Sequence, residues 1–359
     1  MNNIESNTSR KNEIIDLTAA SPVKQQAQQM VIDLSLDDDV GDDYTRNMMQ
    51  NFAGSRRKRK RQMESKTVNP ISSNVEVIDL EALPAATCSV SAQPVTTEQD
   101  EETLYKQALG PIRMEFVPEF NPKHKFAETL QNPTMKTTKL YQELLEYQLS
   151  LPVHPSSSIF VRVQESRLDL IRVAITGPEG SPYENGVFLF DCFLQDYPTR
   201  PPRVQFLTTG GGTIRFNPNL YNCGKVCLSL LGTWSGPGWE PNKSTLLQVL
   251  ISIQAMVLVK DPYFNEPGFH PNQHNAAEKS EQYNRQIRSY TTTYALRDML
   301  KHLISSDLYS EFAPVLHLHF RCRAKRIEHQ LQEWVTKNSN LEKTVQEIQT
   351  LLEKLGTGS

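Results

Sequence analysis

Large aromatic side chains are nearly missing from the first third of this 359-residue chain. Of its 14 Phe, 12 Tyr and 3 Trp, only Tyr44 and Phe52 precede residue 105. A segment with so little to bury cannot offset the entropy of ordering its backbone, so residues 1–103 are expected to be a disordered tail. Cysteine is scarce too. There are five, an odd number, which argues against a disulfide framework and for a reducing compartment. The opening Met1-Asn2-Asn3-Ile4-Glu5-Ser6 lacks the basic flank and apolar run of a secretory signal, so none is expected. No apolar stretch reaches the roughly 20 residues that span a bilayer. The longest, Leu246 to Val259, is broken by Gln248, Ser252 and Gln254 and reads as a buried helix, so no membrane partner is expected. Overall charge shows no excess, with 38 Lys and Arg against 41 Asp and Glu, and nothing in it calls for a nucleic-acid groove. Its placement is uneven: residues 1–104 hold 11 basic and 17 acidic side chains.

Three islands rich in β-branched residues interrupt the tail. Ile14, Ile15 and Leu17 flank Asp16. Val31, Ile32 and Leu34 flank Asp33, ahead of Asp37, Asp38 and Asp39. Val75, Val77, Ile78 and Leu80 surround Glu76 and Asp79. Such a segment can add as a strand to an exposed sheet edge, its aliphatics in a groove and its acids on a basic rim. The pattern closely resembles SUMO-interacting motifs, which implies SUMO or SUMO-modified proteins as partners, with three copies gaining from effective concentration. The tail also holds an unbroken basic hexamer, Arg56-Arg57-Lys58-Arg59-Lys60-Arg61, readable as a nuclear import signal. The expected location is the nucleus, with the cytoplasm as an additional one. Residues 82–100 read as linker.

From Leu104 the texture changes. Lys136 to Leu149 places Leu140, Leu144 and Tyr147 at helical spacing. Strand-like runs follow at Ile159–Val163, Leu168–Thr176, Val187–Leu194 and Val204–Leu207, then an irregular stretch over 208–243 and helices at 244–259 and about 276–306. The order predicts an α+β fold with a four-stranded antiparallel meander. Chemistry should sit in the irregular stretch, because a long loop held against a rigid sheet is usually functional. It contains Asn217-Pro218-Asn219, then Cys227 eight residues beyond Asn219, then Trp234. Tyr197-Pro198-Thr199-Arg200-Pro201-Pro202 precedes them. Together these features resemble the catalytic domain of ubiquitin-conjugating enzymes, the UBC fold. Asn217 in place of the family's usual histidine, and the extended Trp234–Pro241 loop, resemble most the large hybrid conjugase/ligase subclass, which includes the giant inhibitor-of-apoptosis conjugase and plant relatives. The implied division is a tail over 1–103, a lead-in over 104–129, a UBC catalytic domain over 130–295 and a helical extension over 296–359.

The resemblance also implies roles. Cys227 accepts ubiquitin as a thioester from an activating enzyme and passes it to a lysine. Because a thiolate is both nucleophile and good leaving group, neither step demands a strong neighbouring base. Asn219 donates its side-chain amide to the developing oxyanion or to the backbone that shapes the loop. Asn217 takes over the loop-fixing task of the usual histidine. Glu266, on a flap running from Val259 to Gly268, orients the incoming lysine, where aspartate is more usual. ATP is used by the activating enzyme, so no bound cofactor is expected. No metal is expected either: Cys223 lies four residues before Cys227, but no histidine falls between Cys192 and His270 to complete a site. A cysteine protease would need a partnered histidine, and none of the eight histidines, the first at His124, carries a family signature linking it to Cys227. A non-catalytic SUMO- and ubiquitin-binding scaffold would explain the tail but not the register of Asn219 and Cys227.

One further pattern lies at the C-terminus. Ile327, Leu331, Trp334, Asn338, Leu341, Val345, Ile348, Leu352 and Leu355 alternate in steps of four and three, a heptad seam with a lone asparagine. It predicts a homodimer through residues 325–355, one amphipathic helix docked on its own chain, or docking on a separate partner.

Overall fold

Five strands form a mixed sheet in the order β1-β2-β3-β4-β5, with β1 Met114–Val117, β2 Ile159–Gln164, β3 Arg167–Thr176, β4 Val187–Phe193 and β5 Arg203–Phe206. The structure, a computed structural model, describes residues 98–131, 137–241 and 243–357. The three aliphatic islands of the tail and the basic hexamer lie outside these residues. The described residues belong to one unit, Pro94–Ser359.

Period-two alternation assigns the sheet's faces. Val161, Val173 and Phe190 point to an inner core, where helix α2 (Thr137–Ser150) contributes Leu140, Leu144 and Tyr147. Helix α3 (Leu246–Ser252) adds Leu246, Val249 and Leu250 to the same core. Its start is fixed by a capping box. The Thr245 hydroxyl accepts from the Gln248 N–H while the Gln248 side chain accepts from the Thr245 N–H. Phe160, Ala174 and Leu189 point the other way, onto a second core. That core takes Tyr105 and Leu109 from helix α1 (Glu98–Leu109) and the apolar faces of the C-terminal helices. Both faces are therefore covered, and β4 is buried at all seven positions, which is why it reads as an apolar run broken only by Asp191.

Four expectations need correction. Helix α1 begins at Glu98, inside the span expected as tail; it has only two fully buried apolar anchors, too few to register as a helical period. The sheet has a fifth strand, β1, parallel to β2 with Met114 opposite Val161; at four residues it is too short to show alternation. No boundary falls at 295/296. Helix α4 (Ala276–Tyr290) runs through a π-helical segment, Thr291–Arg297, into α5 (Asp298–Ser305). Within that segment Ala295 enters the inner core and Leu296 the outer one. Finally, the heptad seam is not continuous. Helix α6 (Ala313–Lys337) stops at Asn338, whose extended backbone and side-chain bond to the Asn340 N–H start a short turn before α7 (Glu342–Thr357). The asparagine breaks the helix instead of setting a register. Ile327, Leu331, Trp334, Leu341, Val345, Ile348, Leu352 and Leu355 are all buried in the outer core of this chain.

The outer core also encloses charge. Arg172, 1% exposed, meets Asp191 at 2.6 Å and Glu311 at 2.7 Å, and lies over the rings of Phe120 and Tyr309. The Glu311 carbonyl accepts from Nε of the buried Arg162 at 2.8 Å. Glu311, in the turn before α6, thus fastens the C-terminal helices to two strands.

Candidate active site

The loop between β5 and α3 doubles back on itself. Tyr221 and Lys225 close the turn, the Tyr221 N–H donating to the Lys225 carbonyl at 3.0 Å and the Gly224 N–H to the Tyr221 carbonyl at 2.9 Å. Gly224 sits at φ +85°, and a Cβ there would fall 2.6 Å from the Phe206 carbonyl oxygen, so the turn requires glycine. The returning strand sets Cys227 beside Asn219. The Cys227 N–H donates to the Asn219 carbonyl at 2.9 Å, and Asn219 Nδ2 donates to the Cys227 carbonyl at 2.8 Å. The eight-residue spacing is the length of this closed loop. Asn219 Oδ1 is buried and has no hydrogen-bond partner.

Asn217 is completely buried and uses its amide fully. Nδ2 donates to the Tyr183 hydroxyl at 2.9 Å and to the Val257 carbonyl at 2.7 Å, and Oδ1 accepts from the Asn219 N–H at 2.7 Å. One side chain joins the loop to the turn before β4 and to the π-helical segment Ile253–Val257 that follows α3. Cys227 is 2% exposed and lines a cleft of about 320 Å³ with Asn219, Leu228, Trp234, Met256 and Asn265. Thr233 steadies the floor: its hydroxyl donates to the Val226 carbonyl and accepts from the Leu228 N–H.

Residues 139–291 match the family model described as ubiquitin-conjugating enzyme. They form a ubiquitin-conjugating enzyme domain. The chain is 41% identical over 261 residues to the probable ubiquitin-conjugating enzyme protein 17 of Caenorhabditis elegans, covering 67% of this chain and 35% of that one. It is 44% identical over 210 residues to the dual E2 ubiquitin-conjugating enzyme/E3 ubiquitin-protein ligase BIRC6 of Homo sapiens, covering 57% and 4%. With ubiquitin-conjugating enzyme E2 Z of Xenopus tropicalis it shares 47% identity over 155 residues, covering 43% and 48%. The chain spans less than half the length of each of these relatives.

Within the conjugating domain, the Tyr197-Pro198 segment is structural. The Tyr197 hydroxyl donates to Glu143 of α2 and accepts from the Leu246 N–H at 3.0 Å, while Trp239 Nε1 donates to the Pro198 carbonyl at 2.7 Å. These bonds hold the extended tryptophan loop and the start of α3 in one place.

The electrostatics of the thiol are opposed. Burial pushes Cys227 above the usual cysteine range, and the cations of Lys225 and Arg215, with a hydrogen bond to Tyr221, pull it back only in part. The resting side chain is a thiol at neutral pH. Cys223 is exposed on the turn. Among the described residues no group of three His, Cys, Asp or Glu is arranged to hold a metal, and no helix is long and apolar enough to cross a membrane.

The loop therefore brings together Cys227, Asn219 and Asn217. Glu266 stands slightly apart, at the end of the single turn Pro262–Asn265. Its neighbour Asn265 lines the Cys227 cleft, while Glu266 faces an adjoining cavity with Arg215 and Tyr263. Residues that sequence reasoning missed are Tyr183, Arg215, Tyr221 and Thr233. Tyr183 lies 34 residues from the amide it serves and carried no local signal.

Proposed function

We propose that this chain is an E2 ubiquitin-conjugating enzyme working through Cys227. The Cys227 thiol gives up its proton to solvent, and the resulting thiolate attacks the thioester carbonyl of ubiquitin carried by an activating enzyme. A new C–S bond forms and the activating enzyme's thiolate leaves. A neutral substrate lysine then attacks the Cys227 thioester, the C–N bond forms, Cys227 departs as thiolate, and the amine's proton passes to solvent. Asn219 shapes the loop and offers its amide where negative charge develops; Glu266 orients the lysine. ATP enters only at the activating enzyme, and this chain needs no cofactor. The observation that carries the reading is the reciprocal bonding of Asn219 and Cys227, which sets the sulfur on the wall of an open cleft.

The test is a charging reaction with activating enzyme, ATP and ubiquitin or SUMO in turn, resolved without reductant. Ubiquitin should form a reducible adduct, Cys227→Ser an oxyester or none, and Cys223→Ser should charge as the parent does. A thioester on Cys227→Ala, or no adduct on the parent chain, refutes the assignment; the second outcome would favour the scaffold.

We further infer that the tail recruits SUMO-modified nuclear proteins, which Cys227 then ubiquitinates. Support comes from three aliphatic-acidic islands and the basic hexamer in one segment. Replacing the aliphatics of all three islands should abolish binding to SUMO chains, while replacing one should weaken it modestly. Equal ubiquitination of SUMO-fused and unfused forms of one substrate excludes this targeting.

A further inference from the structure

Arg215 precedes the Asn217-Pro218-Asn219 turn by two residues and curls back over it. Nη2 donates to the Pro218 carbonyl at 2.9 Å and Nε to the Asn217 carbonyl at 3.3 Å, while the guanidinium carbon lies 4.3 Å from the centroid of the Tyr221 ring. Two carbonyls and an aromatic face thus fix the orientation of a planar cation. The same Nη2 approaches Oε2 of Glu266 at 3.3 Å, across from the loop to the flap. Both side chains are about two-fifths exposed, 42% and 40%, so the pair adds little to stability. Its consequence is positional. A glutamate on an exposed turn has three rotatable side-chain bonds, and losing its freedom at the moment of reaction costs rate. Arg215, already held by the turn that carries Asn219, supplies a fixed cation for that carboxylate. Beside the pair lies a cavity of about 310 Å³ walled by Tyr263, Phe269 and Tyr283.

We propose that Arg215 is a positioning residue for the transfer step, aligning Glu266 with the Asn219–Cys227 loop. The inference rests on the reading of Glu266 as the group that orients the lysine. Lysine at position 215 is a poor replacement, because a point charge cannot bond the two carbonyls and the carboxylate in one plane.

The experiment uses the full chain preloaded with ubiquitin, freed of activating enzyme, and discharged to free lysine at several concentrations. Arg215→Ala should discharge about tenfold more slowly at saturating lysine, the order expected for loss of alignment, while loading slows much less, through the loss of one cation near Cys227. Glu266→Ala should slow discharge at least as much, and the double variant no more than Glu266→Ala alone, because the arginine then has nothing to align. Arg215→Lys should recover only part of the rate. Multiplicative losses in the double variant overturn the role of Arg215 while leaving that of Glu266 standing. So does equal slowing of loading and discharge by Arg215→Ala, which marks a collapsed loop. Parent-like discharge by Glu266→Ala refutes the reading of Glu266 and the proposal with it.

Discussion

Replacing Asn217 by alanine removes three hydrogen bonds from a fully buried site. The three partners are not equally harmed. The Tyr183 hydroxyl still donates to the Phe216 carbonyl at 3.2 Å, so it loses only an incoming bond. The Val257 carbonyl and the Asn219 N–H are left facing the gap. Each stranded buried group costs about 1–3 kcal/mol, and the lost side-chain volume adds a smaller cavity contribution. The expected loss is about 3–5 kcal/mol, a large part of the 5–15 kcal/mol that holds a typical domain together. Histidine, with one ring nitrogen donating and the other accepting, can replace two of the three bonds and should cost about half as much. The assay is equilibrium unfolding in urea followed by tryptophan fluorescence, with charging and discharge rates measured on the fraction that remains folded. Asn217→Ala should be strongly destabilised, yet its folded fraction should retain most of its discharge rate. A variant within about 1 kcal/mol of the parent would refute the claim that Asn217 ties the loop to Tyr183 and Val257. Full stability combined with lost discharge would instead give Asn217 a part in the chemistry.

Because burial raises the Cys227 thiol above its usual range, alkylation by iodoacetamide should keep accelerating as pH rises past 8.5, and Lys225→Ala should slow it further at each pH by removing a nearby cation; a rate that levels off below pH 8 would contradict this. His319 is fully buried and its pKa is pushed down from 6.5 to about 4, chiefly by desolvation, so between those values the unfolded chain binds the extra proton. Stability should therefore fall as pH drops from 6.5 toward 4, by about 3 kcal/mol from this residue, with His124, also lowered, acting in the same direction; a flat urea midpoint over that range excludes it. Deleting residues 325–359 strips buried Ile327, Leu331, Trp334 and Ile348 from the outer core, so light scattering should find the truncated chain aggregated and the parent monomeric; a dimeric parent would restore the coiled-coil reading.

What was legible in the sequence is what short-range periodicity and tight spacing encode. Strands β2 to β5 and α2 were readable because residues such as Val161, Val173, Leu140 and Leu144 repeat with the period of their own element. The Asn219–Cys227 register was readable because one closed loop contains both bonding partners. Contacts made across the fold left no such trace. Tyr183 meets Asn217, Glu143 meets Tyr197, and Arg215 meets Glu266, pairs separated by 34, 54 and 51 residues. The heptad failed for a related reason. A four-and-three repeat records one apolar stripe but not what covers it, and a helical hairpin packed on a sheet needs the same stripe as a dimer.

The conjugating domain, as the family match delimits it, ends at residue 291, but the physical unit does not. The outer sheet face carries Arg162 and Arg172, both essentially without solvent exposure. Of their acidic and carbonyl partners, Glu311 belongs to the C-terminal helices and serves both arginines at once, through its carboxylate and its backbone oxygen. Removing those helices would take Glu311 from both cations and open to water a face packed around it. Apolar Phe160, Ala174 and Leu189 on the same face would be exposed with them. The extension therefore belongs to the fold that presents Cys227. The Asn217–Cys227 loop hangs from the inner core, through Asn217 to Val257, whereas the extension grips the outer face, through Glu311 to Arg172. Changes to the extension should register first as lost stability of the sheet, and reach the thiol only when the sheet itself gives way.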